Sequence, residues 1–486
     1  MTLTRKIVPP LILTCSLLLV YLGTIAPGLT WANDGADGGD FISATATGGI
    51  AHPTGYPVYL LVGRLFQALP IGSLAFRTNL LSLLAAILAC VFVYGILVWL
   101  PSSPVTGNWL AGMIAAFMFG ISPVFWSQAV ITEVYTLHAA FLAGSMFIFL
   151  WIPSLSEESR FDRWRGLLLG LSAGNHITSV LFFPGAMLSR CFAEKWKINW
   201  HSLLRIITWL GIGLLIYLIL PVRSLSAPPI NWGAPTTLRQ FTWLVTGELY
   251  QERLMDISLV GILDRLQAWS SILLKQFELP GILLGLLGLV YFFKPTRLYF
   301  ITIWNLVVFS AFAILFSAFD SYLYLIPVFL SFSIWIGLGI GGLLDKKAAQ
   351  NRIVKYGVAI LFACLLVVLI TVRWPQVDAS QDARAEKFGS RAMEIIPPNG
   401  IVFVKSDRAI FALWYYHYAL HLRSDISVVA PDLLHFTWYS DTLRSTYPSI
   451  TWPDDILWQE TIIEANPQRP ICTASYVDLD EISCEK

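Results

Sequence analysis

Residues 75–100 read AFRTNLLSLLAAILACVFVYGILVWL, with Arg77 as the only charged side chain. About 20 consecutive apolar residues in a helix cross a hydrocarbon core of about 30 Å, so this stretch predicts a transmembrane helix. The whole chain has the same character: 56% of its 486 residues are hydrophobic and 13% are charged. That charged fraction is about half of what a soluble domain carries. The composition therefore predicts an integral membrane protein.

Further apolar runs continue the pattern on both sides of this stretch. A weaker run, Tyr56 to Leu69, is short and carries Arg64, and we expect it to lie along the membrane surface. The total predicts an all-α polytopic membrane protein with ten or eleven transmembrane helices. The runs are Ile7 to Ala26, Trp109 to Phe125, Tyr135 to Trp151, Gly166 to Leu188, Leu203 to Pro221, Ser270 to Phe293, Leu298 to Ala318, Tyr322 to Leu344 and Tyr356 to Val372.

Basic residues predict which loops face the cytoplasm. Arg5 and Lys6 precede the first run, which places the N-terminus inside and the first external loop, residues 27–56, outside. The long loop 222–268 and everything after Arg373 are then also external, in a multi-pass protein of the cell membrane. The three cytoplasmic loops in the second half contain Arg190, Lys195 and Lys197, then Lys294 and Arg297, then Lys346, Lys347, Arg352 and Lys355.

The first half of the chain leaves two topologies open. If Tyr56 to Leu69 lies on the surface, Glu133 is external and the basic loop from Arg160 to Arg165 is internal; if it spans, both are inverted. The surface version requires two crossings between Gly166 and Arg190, which is short unless the segment contains broken half-helices.

The chain divides by composition into a transmembrane module, residues 1–373, and an extracytoplasmic C-terminal domain, residues 374–486. Short β-like stretches, Ile401 to Val404 and Ile426 to Val429, predict a small soluble α/β unit there. Cys472 and Cys484 either pair in an oxidising compartment or remain free thiols. A net charge of +1 offers no basic excess for nucleic acid, so that class of partner is excluded.

The first external loop carries Asp34, Asp37 and Asp40 with no Lys or Arg among them. Clustered carboxylates bind a divalent cation, or raise one carboxyl's pKa so that it acts as a general base; a solvated acidic loop is the alternative. His52 and Tyr56 follow at the membrane surface, where they can contact a phosphate or a sugar hydroxyl.

Polar residues inside apolar surroundings are further functional candidates. Glu133, and the pair Asn175 and His176, lie at or within predicted helices. Asp320 precedes a span and is interpreted either as a cap of that helix or as a site residue. Aromatic residues of the tail, including Trp414 and Trp438, either stack on a sugar or form core.

These segments, in this order, resemble a bacterial membrane family similar to the protein O-mannosyltransferases, which belong to the GT-C glycosyltransferase superfamily. The resemblance extends into the long loop, to Asp320–Pro327 and to tail residues such as Ser406 and Asp407. It rests first on the aspartate-rich loop, on His52-Pro53 with Gly55-Tyr56-Pro57, on Trp126-Ser127-Gln128 to Glu133-Val134-Tyr135, and on Gly174-Asn175-His176.

The resemblance implies a GT-C fold and transfer of a sugar, with mannose as the first candidate, from a polyprenyl-phosphate carrier to an acceptor hydroxyl at the outer face. The acceptor class, protein, lipid or glycan, stays open. Asp37 is the implied base of an inverting single displacement, with Asp40 as the second catalytic residue. A divalent cation, Mg²⁺ or Mn²⁺, is implied at Asp40 and Glu133. The implied substrate- and carrier-binding residues are His52, Tyr56, Glu133, Tyr135, Asn175, His176 and Arg223.

Two other classes of function compete with this one. A transporter or lipid flippase would use Glu133 and His176 as an ion path, but it predicts inverted repeats and charges in several helices, and neither is found. A non-catalytic assembly protein would explain the tail but not the acidic loop.

Overall fold

The computed structural model describes residues 3–151, 157–193, 199–291, 296–344, 352–453, 458–476 and 480–485. Polar caps begin several of the long helices: Ser73 accepts a hydrogen bond from the backbone N–H of Phe76, and Asn108, Asn199 and Thr296 cap other helices in the same way. The helices of the first half are α1 (Leu3–Thr24), α2 (Gly38–Thr47), α3 (Pro57–Gln67), α4 (Leu74–Val98), α5 (Trp109–Gly120), α6 (Pro123–Ala129), α7 (Tyr135–Leu150), α8 (Glu158–Asn175), α9 (Phe182–Ala193), α10 (Trp200–Leu214) and α11 (Ile219–Ser224).

The second half contains the remaining long apolar helices and the short helices of the C-terminal segment, residues 374–486. Helix α13 is interrupted by the non-helical backbone of Glu278, two residues before Pro280. These helices are α12 (Leu238–Val245), α13 (Leu259–Tyr291), α14 (Arg297–Leu315), α15 (Ile326–Leu344), α16 (Arg352–Val377), α17 (Arg384–Ile395), α18 (Asp407–Trp414), α19 (Thr437–Thr446) and α20 (Gln459–Ala465).

The number of long spans is lower than the predicted ten or eleven. Within the described residues, seven helices are long and apolar enough to cross a membrane, and the pair α5 and α6, bent by 71°, makes an eighth. The difference arises because α7 has only 16 residues, because the run from Gly166 to Leu188 is broken, and because α3 has only 11 residues. The transmembrane module is nonetheless all-α and multi-pass, as predicted.

The run from Gly166 to Leu188 folds back on itself. Helix α8 ends at Asn175, His176 is extended (φ −153°, ψ 121°), and a short 3₁₀ turn leads into α9. Arg190 near the end of α9 donates to Asp162 near the start of α8 at 2.8 Å. Because the two outer ends meet, this segment is a helical hairpin made of the broken helices that the surface version of the topology requires.

The ends of α7 separate Glu133 from the basic residues that follow. Glu133 lies just before α7, whereas Arg165 donates to the carbonyl of Trp151, just after it, at 2.9 Å. Glu133 and Arg165 are therefore at opposite ends of α7, which both versions of the topology require. The residues on which the later cytoplasmic loops were predicted, Lys195, Lys197, Lys294, Lys346 and Lys347, lie outside the described residues.

The C-terminal segment contains a four-stranded sheet in the order β2-β1-β3-β4. Strand β1 is parallel to both β2 and β3, and β3 is antiparallel to β4. A disulfide joins Cys472 and Cys484, which face each other on β3 and β4. The predicted β stretches are thus found, and the two tail cysteines pair. The strands are β1 (Ile401–Lys405), β2 (Ser427–Val429), β3 (Ile471–Tyr476) and β4 (Asp480–Glu485).

The C-terminal segment packs directly on the first external loop. A Cβ added at Gly39 in α2 would lie 2.5 Å from the backbone oxygen of Phe411 in α18, so only glycine permits this approach of the two helices. The ring centroids of Trp31 and Tyr476 are 4.1 Å apart in the same contact. The loop therefore lies between the helix bundle and the sheet, and the residues it carries are partly enclosed.

Candidate active site

Asp37 stands immediately before α2, with its side chain open to the space between the bundle and the C-terminal segment. Its side chain is 43% exposed, whereas Asp40, one turn later, is completely buried. Glycines at positions 38 and 39 let α2 begin against Thr132 and Phe411 without side chains in the way. One loop thus presents two carboxylates in very different surroundings.

Asp40 holds His52 in place. Its Oδ2 accepts hydrogen bonds from the backbone N of His52 at 2.9 Å and lies 2.8 Å from the Nδ1 of the same residue. Its Oδ1 accepts from the indole nitrogen of Trp232 at 3.2 Å. Because both oxygens are occupied by protein donors, the geometry makes Asp40 a positioning residue. The predicted roles of Asp40 as a group that meets substrate or metal do not fit this arrangement.

His52 links Asp40 to Asp37. Its Nε2 lies 3.7 Å from Asp37 Oδ2. Burial by itself lowers the pKa of His52, but Asp37 and Asp40 more than offset this and raise the pKa to about 9. His52 is therefore a cation at neutral pH, held by one carboxylate and directed at the other.

The pKa of Asp37 is shifted toward neutrality. Burial within the cleft raises it to about 6, His52 opposes the shift, and the carboxylates of Asp407, Asp40 and Asp320 add to it. A carboxylate with a pKa near the working pH is ionised and still accepts a proton readily. Asp37 therefore has the properties of a general base.

Glu133 and Tyr135 form the wall beside this pair. Glu133 is 6% exposed, and burial together with Asp37 raises its pKa. The Tyr135 hydroxyl donates to Asp320 Oδ2 at 3.4 Å. Burial also raises the pKa of Asp320, which stands at the N-cap position of the following 3₁₀ turn but makes no side-chain cap there.

A cavity of about 240 Å³ opens next to these residues, between the α8–α9 hairpin, the long loop and the end of α14. Its wall is largely apolar, with aromatic and polar side chains at one end. Tyr56, predicted as a binding residue, and His176 both line it, with ring centroids 6.0 Å apart. The remaining lining residues are Pro53, Thr54, Ile177, Thr178, Val180, Leu181, Thr246, Gly247, Tyr250, Gln251, Leu254, Phe312, Phe316 and Tyr324.

His176 occupies the break in the hairpin because its extended backbone turns the chain there. Its Nδ1 lies 2.8 Å from Thr178 Oγ1, and its ring packs near Tyr135 and His138 at 5.6 and 5.1 Å. Neighbouring Asn175 donates to the carbonyl of Val134 at 3.3 Å, which ties the hairpin to the segment after Glu133. Asn175 thus supports the wall of the cavity, whereas His176 faces it.

Arg223 lies at the end of α2 that is opposite Asp37. It donates to the carbonyl of Gly49 at 3.0 Å, and Arg64 donates to the carbonyl of Ala46 at 3.0 Å. Both arginines therefore bind the C-terminal end of α2, where the helix dipole favours positive charge. Asp37 is at the other end of α2, and the predicted role of Arg223 in carrier binding stays a prediction.

The residues do not fit the implied divalent cation. Among the described side chains, no group of three or more His, Cys, Asp or Glu residues is arranged to hold a metal ion. Asp40 is completely buried, and each of its oxygens already accepts from a protein donor, His52 or Trp232. The cation at Asp40 and Glu133 stays a prediction.

Several site residues come from segments whose role the sequence did not reveal. Trp232, Tyr250 and Tyr324 reach the site from distant parts of the chain, and Asp407 comes from the C-terminal segment. All four residues lie in stretches of the family resemblance, namely Asn231–Pro235, Gly247–Tyr250, Asp320–Pro327 and Ser406–Asp407. The tail aromatics Trp414, Tyr415, Tyr416, Trp438 and Tyr439 are buried or partly buried and form core.

Two family models match the chain. One, described as the N-terminal domain of the protein O-mannosyl-transferase TMEM260, matches residues 37–199, and the other, TMEM260-associated domain 2, matches residues 385–465. Protein O-mannosyl-transferase TMEM260 of Mus musculus is 27% identical over 87% of this chain and 63% of its own length. The corresponding protein of Dictyostelium discoideum is 24% identical over 93% of this chain and 61% of its own length. The chain thus spans about three-fifths of these relatives.

Solved structures share the fold. ArnT from Cupriavidus metallidurans bound to undecaprenyl phosphate matches with a TM-score of 0.57 at 13% identity, over 97% of this chain and 94% of the other. The oligosaccharyltransferase of Archaeoglobus fulgidus matches with a TM-score of 0.55 at 12% identity, over 95% of this chain and 68% of the other. The fold is GT-C-like, and the sequence is O-mannosyltransferase-like, as the resemblance predicted.

Proposed function

We propose that this protein transfers a sugar, with mannose as the first candidate, from a polyprenyl-phosphate carrier to an acceptor hydroxyl at the outer face of the cell membrane. One observation carries the proposal: Asp37, with a pKa of about 6, lies beside the His52 cation, whose ring packs 5.1 Å from that of Tyr56 in the wall of an apolar cavity. A base next to an apolar cavity suits a reaction between a lipid-linked donor and a hydroxyl.

In the proposed reaction, Asp37 is the base. The ionised carboxylate takes the proton of the acceptor hydroxyl as its oxygen attacks the anomeric carbon of the sugar. The bond between that carbon and the phosphate oxygen breaks, and the carrier phosphate leaves with the electron pair. A single displacement inverts the configuration at the anomeric carbon. His52, held by Asp40, keeps the carboxylate oriented and balances its charge.

The cavity suits the carrier. A polyprenyl chain stays in the hydrocarbon, so its phosphate must be met at the membrane surface. The wall offers apolar side chains such as Leu181, Leu254 and Phe316, and the polar end offers Tyr56 and His176. ArnT, which shares the fold, has been solved with undecaprenyl phosphate, and this supports the same class of carrier here.

The acceptor is proposed to be a protein serine or threonine. The named relatives are protein O-mannosyl-transferases, and the C-terminal segment encloses the space in front of Asp37. In this proposal the C-terminal segment faces the cell exterior. The disulfide between Cys472 and Cys484 supports that side, because such bonds persist in oxidising compartments.

Radiolabelled transfer tests the proposal. Purified protein is given polyprenyl-phosphate-mannose, or its glucose or arabinose counterpart, with serine- and threonine-containing peptides and a membrane extract as acceptors. We expect label on the acceptor with wild type and with Asp441→Asn, which makes the same chemical change on the exposed face of α19, and none with Asp37→Asn.

Adding EDTA to the same assay tests whether transfer needs a divalent cation. Transfer that survives EDTA would agree with the occupied oxygens of Asp40, whereas transfer restored by Mg²⁺ or Mn²⁺ after EDTA would establish a metal. Folded wild type that transfers no sugar from any donor would overturn the proposal and favour the transporter or flippase.

A further inference from the structure

The strand order of the C-terminal sheet reverses at an end of the sheet that lies against the first external loop. The chain passes from β1 outward to β2 and then back across β1 to β3. In parallel sheets, ligands bind beyond the carboxyl ends of the strands at the point where the strand order reverses. That point lies at the carboxyl ends of β1 and β3, where Lys405 and Ser475 are paired.

The turn that follows β1 at this point has a strained backbone. Ser406, directly after β1, has φ +77°, a left-handed conformation that costs a non-glycine residue about 1 kcal/mol or more. Its hydroxyl donates to the carbonyl of Tyr476 at the end of β3 at 3.0 Å, which fixes the turn. The turn places Asp407 at the start of α18 with its side chain exposed.

This end of the sheet lies against the first external loop. Arg408 lies 3.9 Å from Asp34, and Tyr476 packs on Trp31 at 4.1 Å, so the carboxyl ends of β1 and β3 abut the loop that carries Asp37. The carboxylate of Asp407 is close enough to raise the pKa of Asp37, and His52 in turn acts on Asp407. Asp407 therefore borders the space in which the proposed acceptor hydroxyl meets Asp37.

We propose that Asp407 orients the acceptor by accepting a hydrogen bond from a backbone N–H next to the attacking serine or threonine hydroxyl. The inference rests on the proposed function and deepens it. Asp37 and Asp407 are both acceptors, so the molecule between them has to present two donors a short distance apart. A serine or threonine within a polypeptide does so with its hydroxyl and a neighbouring peptide N–H.

The test pairs a variant with a matched substrate. Transfer to a serine peptide is compared with transfer to the same peptide carrying an N-methyl group on the backbone nitrogen next to the serine, using wild type and Asp407→Asn. For wild type, we expect N-methylation to raise the acceptor KM about tenfold, the effect of losing a hydrogen bond to a charged group. For Asp407→Asn, whose neutral amide oxygen is a weaker acceptor than a carboxylate, we expect a raised KM for the plain peptide and a smaller effect of N-methylation than in wild type.

A pH profile separates this role from a purely structural one. Because the Asp407 charge raises the pKa of Asp37, Asp407→Asn should move the acidic limb of kcat/KM to lower pH, and Asp407→Glu should restore it. Asp441→Asn, on an exposed part of α19, should change neither KM nor the limb.

The outcomes are distinct. Equal N-methyl effects in wild type and Asp407→Asn, with an unchanged acidic limb, would overturn the inference and leave the transferase intact. Transfer to a glycan or lipid, but to no peptide, would also overturn it. Folded wild type without any transfer would overturn the proposed function itself.

Discussion

Asp40 Oδ2 lies 2.8 Å from Nδ1 of His52, at a completely buried position twelve residues earlier in the chain. The same oxygen accepts the backbone N–H of His52, so both the ring and its backbone are fixed. The other ring nitrogen, Nε2, is thereby directed at Asp37, 3.7 Å away. The carboxylate that the sequence placed among the reacting groups thus acts on the base through a histidine.

Asp40→Asn should slow transfer without preventing folding. The amide keeps the shape of the side chain but loses the charge that holds the His52 cation, an interaction worth roughly 1.5–3 kcal/mol. We expect kcat to fall about ten- to a hundredfold, with the donor KM nearly unchanged. Steady-state kinetics of the purified variant, with thermal unfolding as a control for folding, measure this. A variant with wild-type kcat would show that His52 needs no such partner.

The pH dependence of transfer should be bell-shaped. Asp37 has its pKa raised to about 6, so the fraction ionised, and kcat/KM with it, rises as the pH increases through about 6. His52 has its pKa raised to about 9, so its cation is present below that pH and is lost as the pH increases through it. We expect limbs near pH 6 and pH 9. An acidic limb that is the same in Asp40→Asn and wild type, although Asp40 contributes to the pKa of Asp37, would contradict this assignment.

Trp232→Phe tests the link between the long loop and the site. Phenylalanine keeps an aromatic ring near Trp438, at 5.6 Å between ring centroids in the structure, but removes the donor to Asp40 Oδ1. We expect kcat to fall about tenfold with little change in acceptor KM. Trp243→Phe is the matched control, since Trp243 packs near Phe436 and Trp438 without a bond to Asp40. Equal losses in the two variants would indicate a packing role alone.

Arg223→Gln should affect stability and not donor binding. Arg223 donates to the carbonyl of Gly49 beyond the C-terminal end of α2, so its loss removes one charge-assisted bond there. We expect Tm to fall by a few degrees and the donor KM to stay within about twofold. Arg239→Gln, which breaks an exposed pair with Glu248, should change neither value. A large rise in donor KM for Arg223→Gln would support the phosphate role that the sequence predicted.

The apolar runs were predictable because hydrophobicity is a local property of the chain. Residues 75–100 form α4 almost to the residue, and the runs after 200 lie in helical segments, although α13 begins at Leu259 and not at the predicted Ser270. The position of the break at His176 was not predictable from hydropathy, because the apolar run continues past it to Leu188. In the structure, the contact of Asp162 with Arg190 joins the outer ends of the two helices.

Within the site, the sequence located the residues that stand out against an apolar background or lie in one short loop. Asp37, His52, Glu133 and His176 are of this kind, and the fold brings them together. The roles of these loop residues were not predictable from the sequence. The role of Asp40, for example, is set by its complete burial and by donors from His52 and Trp232.

The sequence by itself determined the membrane class, the polar character of the first loop and the α/β nature of the C-terminal segment, because each is encoded in composition and short-range periodicity. Tertiary structure decided that the Asp37 side chain is partly exposed whereas Asp40 is buried and held by protein donors. It also decided that Trp232 and Asp407 belong to the site. The physical reason is that burial and charge proximity depend on segments nearly 200 and 370 positions apart in the sequence. No local pattern records those distances.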